Sequence, residues 1–318
     1  MTTTTTGVRS SAAQAAGALV TPRRMVMMLG WTVVVLAGLA AAIGLFSAGG
    51  TGNSDVTSLR GQSTNLYGLG LYRFDSVLVG VGNRGTDAVT LFLEVPALAF
   101  ALTSYRRGSL RAAIAVVGIL GWTLYYYASM CLYTAFNRLF PVYLVVFTAS
   151  LFGLLMAVGS VDRGEFARSF PSRPSRIALI SYLGALAVAL TLAWAPAMVA
   201  DAISGNLPAR LGPYSTEVTW ALDLGVVVPT VAATAVLLHR RADLGPLAAV
   251  GMLALNVALG LALLGQSVAQ LLANVPMTPG EQVGGMVSFA VMTAVAGVLL
   301  GRLLRRLPSG DAVRGRVP

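Results

Sequence analysis

The sequence predicts an all-α fold: a polytopic integral membrane bundle of about eight transmembrane helices. Three observations predict it. Of 318 residues, 56% are hydrophobic and only 11% are charged, where a soluble domain carries about a quarter charged residues. The apolar runs are long and do not alternate, which suits helices rather than a barrel. The basic residues, all 22 of them arginine, fall in short clusters between those runs, as in loops facing the cytoplasm. The net charge of +10 would suggest nucleic acid as the partner of a soluble protein. Here it marks topology, so the bilayer is the partner and nucleic acid is excluded.

Residues 1–24 open with five threonines and continue with small residues, which predicts a disordered cytoplasmic tail. Arg23 and Arg24 precede the first apolar run, 25–48. Its length exceeds a usual signal h-region and favours a retained span over a cleaved signal. An outer segment follows over 49–85. It begins as a loop rich in Gly, Ser, Thr and Asn, and from residue 66 it turns apolar. Tyr67, Leu71, Phe74, Leu78 and Val81 make a helical stripe, so an amphipathic helix or re-entrant segment over 66–82 is expected. Gly80, Gly82 and Gly85 spell G-x-G-x-x-G, but no strand precedes them and the dinucleotide reading falls.

Seven further spans are expected at 87–104, 112–133, 139–160, 177–200, 216–238, 247–273 and 283–304, with a basic cytoplasmic tail over 305–318. The arginines test this placement. With the N-terminus in the cytoplasm, Arg60, Arg73, Arg84, Arg138 and Arg210 fall outside and the other 17 inside. That distribution predicts a multi-pass plasma-membrane protein with both termini cytoplasmic.

The second span carries two carboxylates. Asp87, Thr90 and Glu94 stand at i, i+3 and i+7 and share one face. For a helix starting near Thr86, Glu94 lies about 12 Å down it, near the middle of a core about 30 Å thick. Ionisable residues at that depth usually face the bundle interior or a wet cavity and mark function. A counterpart occurs on the sixth span. Val89-Thr90-x-x-Leu93-Glu94 matches Val218-Thr219-x-x-Leu222-Asp223, with Thr216 in the place of Asp87. Arg106-Arg107 is echoed by Arg240-Arg241, and Val117-Gly118 by Val250-Gly251. Four spans separate the members of each pair, as two parallel four-helix repeats would require.

The runs RGTDAVTL (84–91), NRLFPVYLVVFTASLF (137–152) and ALDLGVVVP (221–229) resemble stretches of an uncharacterised family of bacterial multi-pass membrane proteins with no assigned activity. Asp87 and Asp223 lie within those runs. The resemblance covers most of the chain after the first span and implies a membrane fold but no chemistry.

Other polar residues reach the same region. On the third span Trp122, Tyr126, Ser129 and Tyr133 form a stripe, with Tyr125 and Tyr127 beside it. Tyr126 lies more than a turn below the interface, where its hydroxyl needs a partner, and Asp87 or Glu94 could be that partner. On the seventh span Gln266, Gln270 and Asn274 stand four residues apart, with Asn256 deeper, where an amide usually glues helices together. The ligand-facing set is therefore Asp87, Thr90, Glu94, Tyr126, Tyr133, Thr219, Asp223, Gln266 and Gln270, with Glu94 and Asp223 paired.

Paired acids with tyrosines and amides suit a binder or carrier of a small solute or cation in an outward-facing cavity. A membrane-embedded enzyme acting on a lipid or isoprenoid is the first alternative, but no catalytic residues can be assigned. No HExxH or acid cluster for magnesium occurs and no nucleophile has a base beside it. The other alternative is a non-catalytic subunit held by a membrane protein partner or as a homo-oligomer. The single cysteine, Cys131, and the single histidine, His239, leave no set for a haem or zinc, so no cofactor and no metal are expected.

Overall fold

The computed structural model describes residues 6–58, 60–170, 173–209 and 211–306. It is an all-α polytopic bundle with eight helices long and apolar enough to cross a membrane: Arg23–Phe46, Val77–Arg106, Leu110–Leu132, Phe140–Gly159, Ser175–Ser204, Val218–His239, Leu244–Leu272 and Val283–Arg306. The first span is the apolar part of a longer helix, Thr6–Phe46. A disordered tail was expected there, but the alanine-rich run that is too weakly apolar to pack is still a strong helix former. Residues before Thr6 and after Arg306 lie outside the described residues, and with them most of the C-terminal tail.

The connection between the first two spans departs from expectation. It holds a hairpin of β1 (Ser54–Thr57) and β2 (Ser63–Leu66), antiparallel with Ser54 opposite Leu66 and Thr57 opposite Ser63. A single 3₁₀ turn, Gly70–Tyr72, follows. The amphipathic helix expected over 66–82 is absent. In its place the second span starts ten residues earlier than its predicted start, at Val77, where the Ser76 hydroxyl accepts from the Val79 N–H as an N-cap. Polar Asn83 and Arg84 had masked this first stretch of the span. Gly80, Gly82 and Gly85 are packing glycines. A Cβ on them would come within 2.8 Å of Tyr67, 2.9 Å of Gln266 and 2.4 Å of the Gly265 carbonyl oxygen.

The third and seventh spans form the centre, packed on each other. The second also packs on the seventh, the fourth on the first and third, the eighth on the seventh, and the fifth on the sixth. The central contact joins like to like. A Cβ on Gly118 would meet the Ala254 Cβ at 2.2 Å, and one on Gly251 would meet Val117 Cγ1 at 2.9 Å.

The second and sixth spans are both interrupted by one π-helical turn, Thr90–Glu94 and Asp223–Val227. The Val95 N–H donates to the Thr90 carbonyl and the Val228 N–H to that of Asp223. Each turn is followed by a proline, Pro96 or Pro229, which has no N–H to continue the α ladder. Adding 133 to 90, 96 and 118 gives 223, 229 and 251, so turn, proline and central glycine keep one register between the halves. The matching letters VTxxLE and VTxxLD stand one helical turn out of that register. Structurally Asp223 corresponds to Thr90, not to Glu94. The sixth span also begins at Val218, which leaves Thr216 ahead of the helix and breaks the expected Thr216, Thr219, Asp223 stripe.

Candidate functional site

Three acids of the spans are buried: Asp87 is 2% exposed, Glu94 7% and Asp223 8%. Their surroundings differ in how completely each carboxyl is matched. The Tyr72 hydroxyl donates to Asp87 Oδ2 at 2.6 Å and the Tyr126 hydroxyl to Oδ1 at 3.3 Å. The first span passes so close that a Cβ on Gly44 would lie 2.0 Å from Asp87 Oδ2 and 2.7 Å from the Tyr72 hydroxyl. Asp223 is equally well matched. The Tyr125 hydroxyl donates to its Oδ1 at 2.8 Å and the Trp194 indole N–H to its Oδ2 at 2.7 Å.

Glu94 is different. The Thr90 hydroxyl donates to its Oε2 at 3.0 Å, within the π turn that carries both. The other oxygen, Oε1, is buried with no hydrogen-bond partner, and so is the indole N–H of Trp122. Trp122 is within interaction range of the Glu94 carboxyl, yet the geometry falls short of a hydrogen bond. A buried acceptor and a buried donor thus stand close together and unmatched, which is rare because each costs about 1–3 kcal/mol.

The third span is the common support. Its ring of Trp122 stacks on those of Tyr125 and Tyr126 with centroids 5.9 and 5.5 Å apart. Within little more than one turn it presents Tyr126 to Asp87, Tyr125 to Asp223 and Trp122 to Glu94. The partner sought for the Tyr126 hydroxyl is Asp87. No hydrogen bond joins the expected pair, Glu94 and Asp223: each acid has its own donors.

The remaining candidates lie apart from the three carboxyls' hydrogen bonds. The Gln270 amide donates to the Leu78 carbonyl at 3.0 Å and Gln266 lies against Gly82, so both join the seventh span to the second. Asn256 accepts from the Tyr182 hydroxyl at 2.9 Å and ties the seventh span to the fifth. Tyr133 lies against Tyr214, centroids 4.2 Å apart, on the hairpin side. Thr219 is half-buried, and its carbonyl accepts from the Asp223 N–H in the helix ladder. Tyr72, Trp122, Tyr125 and Trp194 were not singled out from the sequence as site residues. Only Trp122 and Tyr125 carried a signal, their place on or beside the aromatic stripe.

Among the described residues no group of three or more His, Cys, Asp or Glu side chains could hold a metal ion. Neither protein-family models, nor curated proteins, nor solved structures give a match to this chain, so the resemblance to a bacterial membrane family gains no support from them.

Proposed function

We propose that this protein binds a small solute or cation within the membrane, at Glu94, and carries it across. The observation that supports this reading is the half-matched Glu94 carboxyl. Evolved buried polar groups are normally paired, and two of the three acids here are paired at both oxygens. The third keeps one oxygen open to a hydrogen-bond donor or positive charge on a ligand, and the neighbouring Trp122 N–H open to a ligand acceptor. The interrupted second and sixth spans suit alternating access, because a π turn followed by proline is a place where a helix can bend. The arginine distribution supports termini in the cytoplasm, and the resemblance to bacterial multi-pass proteins supports a bacterial inner membrane setting.

Uptake into proteoliposomes tests the proposal. A panel of amino acids, small ammonium compounds and inorganic cations is offered under imposed proton and sodium gradients. At least one member should enter with wild type and not with Glu94→Gln, while Asn256→Ala, which alters a packing amide, retains uptake. Uptake that Glu94→Gln leaves intact would overturn the proposal.

A further inference from the structure

A fourth buried acid lies outside the spans. Asp75 is 1% exposed and sits on the turn that joins the hairpin to the second span. Its Oδ1 accepts from the Ala135 N–H at 2.8 Å, in the connection between the third and fourth spans. The same oxygen accepts from the Tyr214 hydroxyl at 3.2 Å, in the connection before the sixth span. The Ser76 N–H donates to that Tyr214 hydroxyl at 3.1 Å. Two more bonds fasten the hairpin to the second half: Arg60 Nη2 donates to the Ser215 carbonyl at 3.0 Å, and Gln62 Nε2 to the Pro208 carbonyl at 3.2 Å. From the same turn Tyr72 reaches down to Asp87. The hairpin, its turn and the connection before the sixth span therefore form a cap over the buried acids, and the Asp75 carboxyl joins its turn to two other connections.

Asp75 holds them with a single oxygen. Its Oδ2 is buried with no partner, so an ionised carboxylate in the closed cap would carry charge that nothing on that side compensates. The titratable and charged groups around it do not supply the missing charge. Tyr214 and Tyr133 face it from two connections, and Tyr143 from the fourth span. Burial, with the neighbouring acids, pushes the Tyr133 and Tyr214 hydroxyls up, so they remain neutral donors. Glu217, half-buried at the start of the sixth span, has the same sign as Asp75. Arg73 is exposed and lies over the Phe74 ring.

From this geometry we infer that the cap is a pH-sensitive lid over the membrane acids, closed when Asp75 is neutral and loosened when it is ionised. Burial pushes the Asp75 carboxyl from the ordinary range up to about 7, against the opposing bonds from Ala135 and Tyr214. The closed lid thus holds the proton more tightly than the open one. Its closing is fully favoured below the ordinary carboxyl range and is lost as pH rises through about 7. The role of the lid as a gate rests on reading Glu94 as a binding site, whereas its opening can be measured without any substrate.

Hydrogen exchange of the purified full chain between about pH 4.5 and about pH 8.5 tests this, after correction for intrinsic exchange. Protection of the 54–66 amides in wild type should fall as pH rises toward about 7, by up to about tenfold per pH unit for one linked proton, and level off above it. In the seventh span, 244–272, it should stay level in the same samples. Asp75→Asn, neutral at every pH, should abolish the fall. Tyr214→Phe should lower protection at all pH values and keep the slope. Level protection of 54–66 in wild type, or the same slope in Asp75→Asn, would overturn the inference. Should Asp75→Asn fail to fold, the wild-type comparison of 54–66 with 244–272 still decides it.

Discussion

The Tyr125 hydroxyl donates to Asp223 at 2.8 Å, and this bond crosses from the first four spans to the last four. With Trp194 on the other oxygen, it makes Asp223 a fastening between the third, fifth and sixth spans. Tyr125→Phe and Trp194→Phe should each destabilise the protein by about 1–3 kcal/mol, because each leaves a buried acceptor unmatched. Thermal unfolding in detergent would measure it. Neither change should abolish uptake in proteoliposomes if the ligand site is at Glu94.

Gly44 and Gly38 lie six residues apart on the first span and give opposite expectations. An alanine at 44 would drive its Cβ into Asp87 and Tyr72, whereas one at 38 would stand 3.5 Å from Val95 Cγ1, an ordinary contact. Gly44→Ala should therefore cost about 1–3 kcal/mol, as overpacking does. Gly38→Ala should be neutral or slightly stabilising in the same unfolding assay, since alanine favours the helix.

At the centre of the bundle Gly118 and Gly251 face fixed and movable neighbours respectively. A Cβ at 118 meets Ala254 close to the backbone, while one at 251 meets the end of the Val117 side chain, which can turn away. Gly118→Ala should lower the unfolding temperature clearly more than Gly251→Ala. Because both act on one helix contact, the double variant should depart from additivity by about 0.5 kcal/mol or more.

The spans were legible because hydrophobic length and arginine placement are one-dimensional signals. Where the reading failed, the cause was local. The second span begins at Val77 because Ser76 caps it, but three glycines, Asn83 and Arg84 disguised that turn as a loop, and the close contacts of Gly82 and Gly85 exist only once the seventh span is in place. The hairpin has four-residue strands without a hydrophobic face, too short to show an alternation. Asp87, Glu94 and Tyr126 were found because polar residues stand out in apolar runs. Tyr72 and Trp194 were not, since an aromatic ring in a membrane protein is ordinary until its donor is seen against a carboxylate. The match of Glu94 to Asp223 misled because Val, Thr and Leu recur cheaply in such a composition. The register is set instead by the π turns and prolines.

The central claim is that Glu94, alone among the three buried acids of the spans, keeps a carboxyl oxygen for a ligand. Ligand-induced stabilisation measures this most directly, since a site filled at about a hundredfold above its Kd contributes about 2.7 kcal/mol. Wild type, Glu94→Gln and Trp122→Phe are melted in detergent with each member of the transport panel. The account predicts a member that raises the unfolding temperature of wild type, raises it less in Trp122→Phe and leaves Glu94→Gln unmoved. An equal rise in Glu94→Gln, or no rise in wild type with any member, would contradict it.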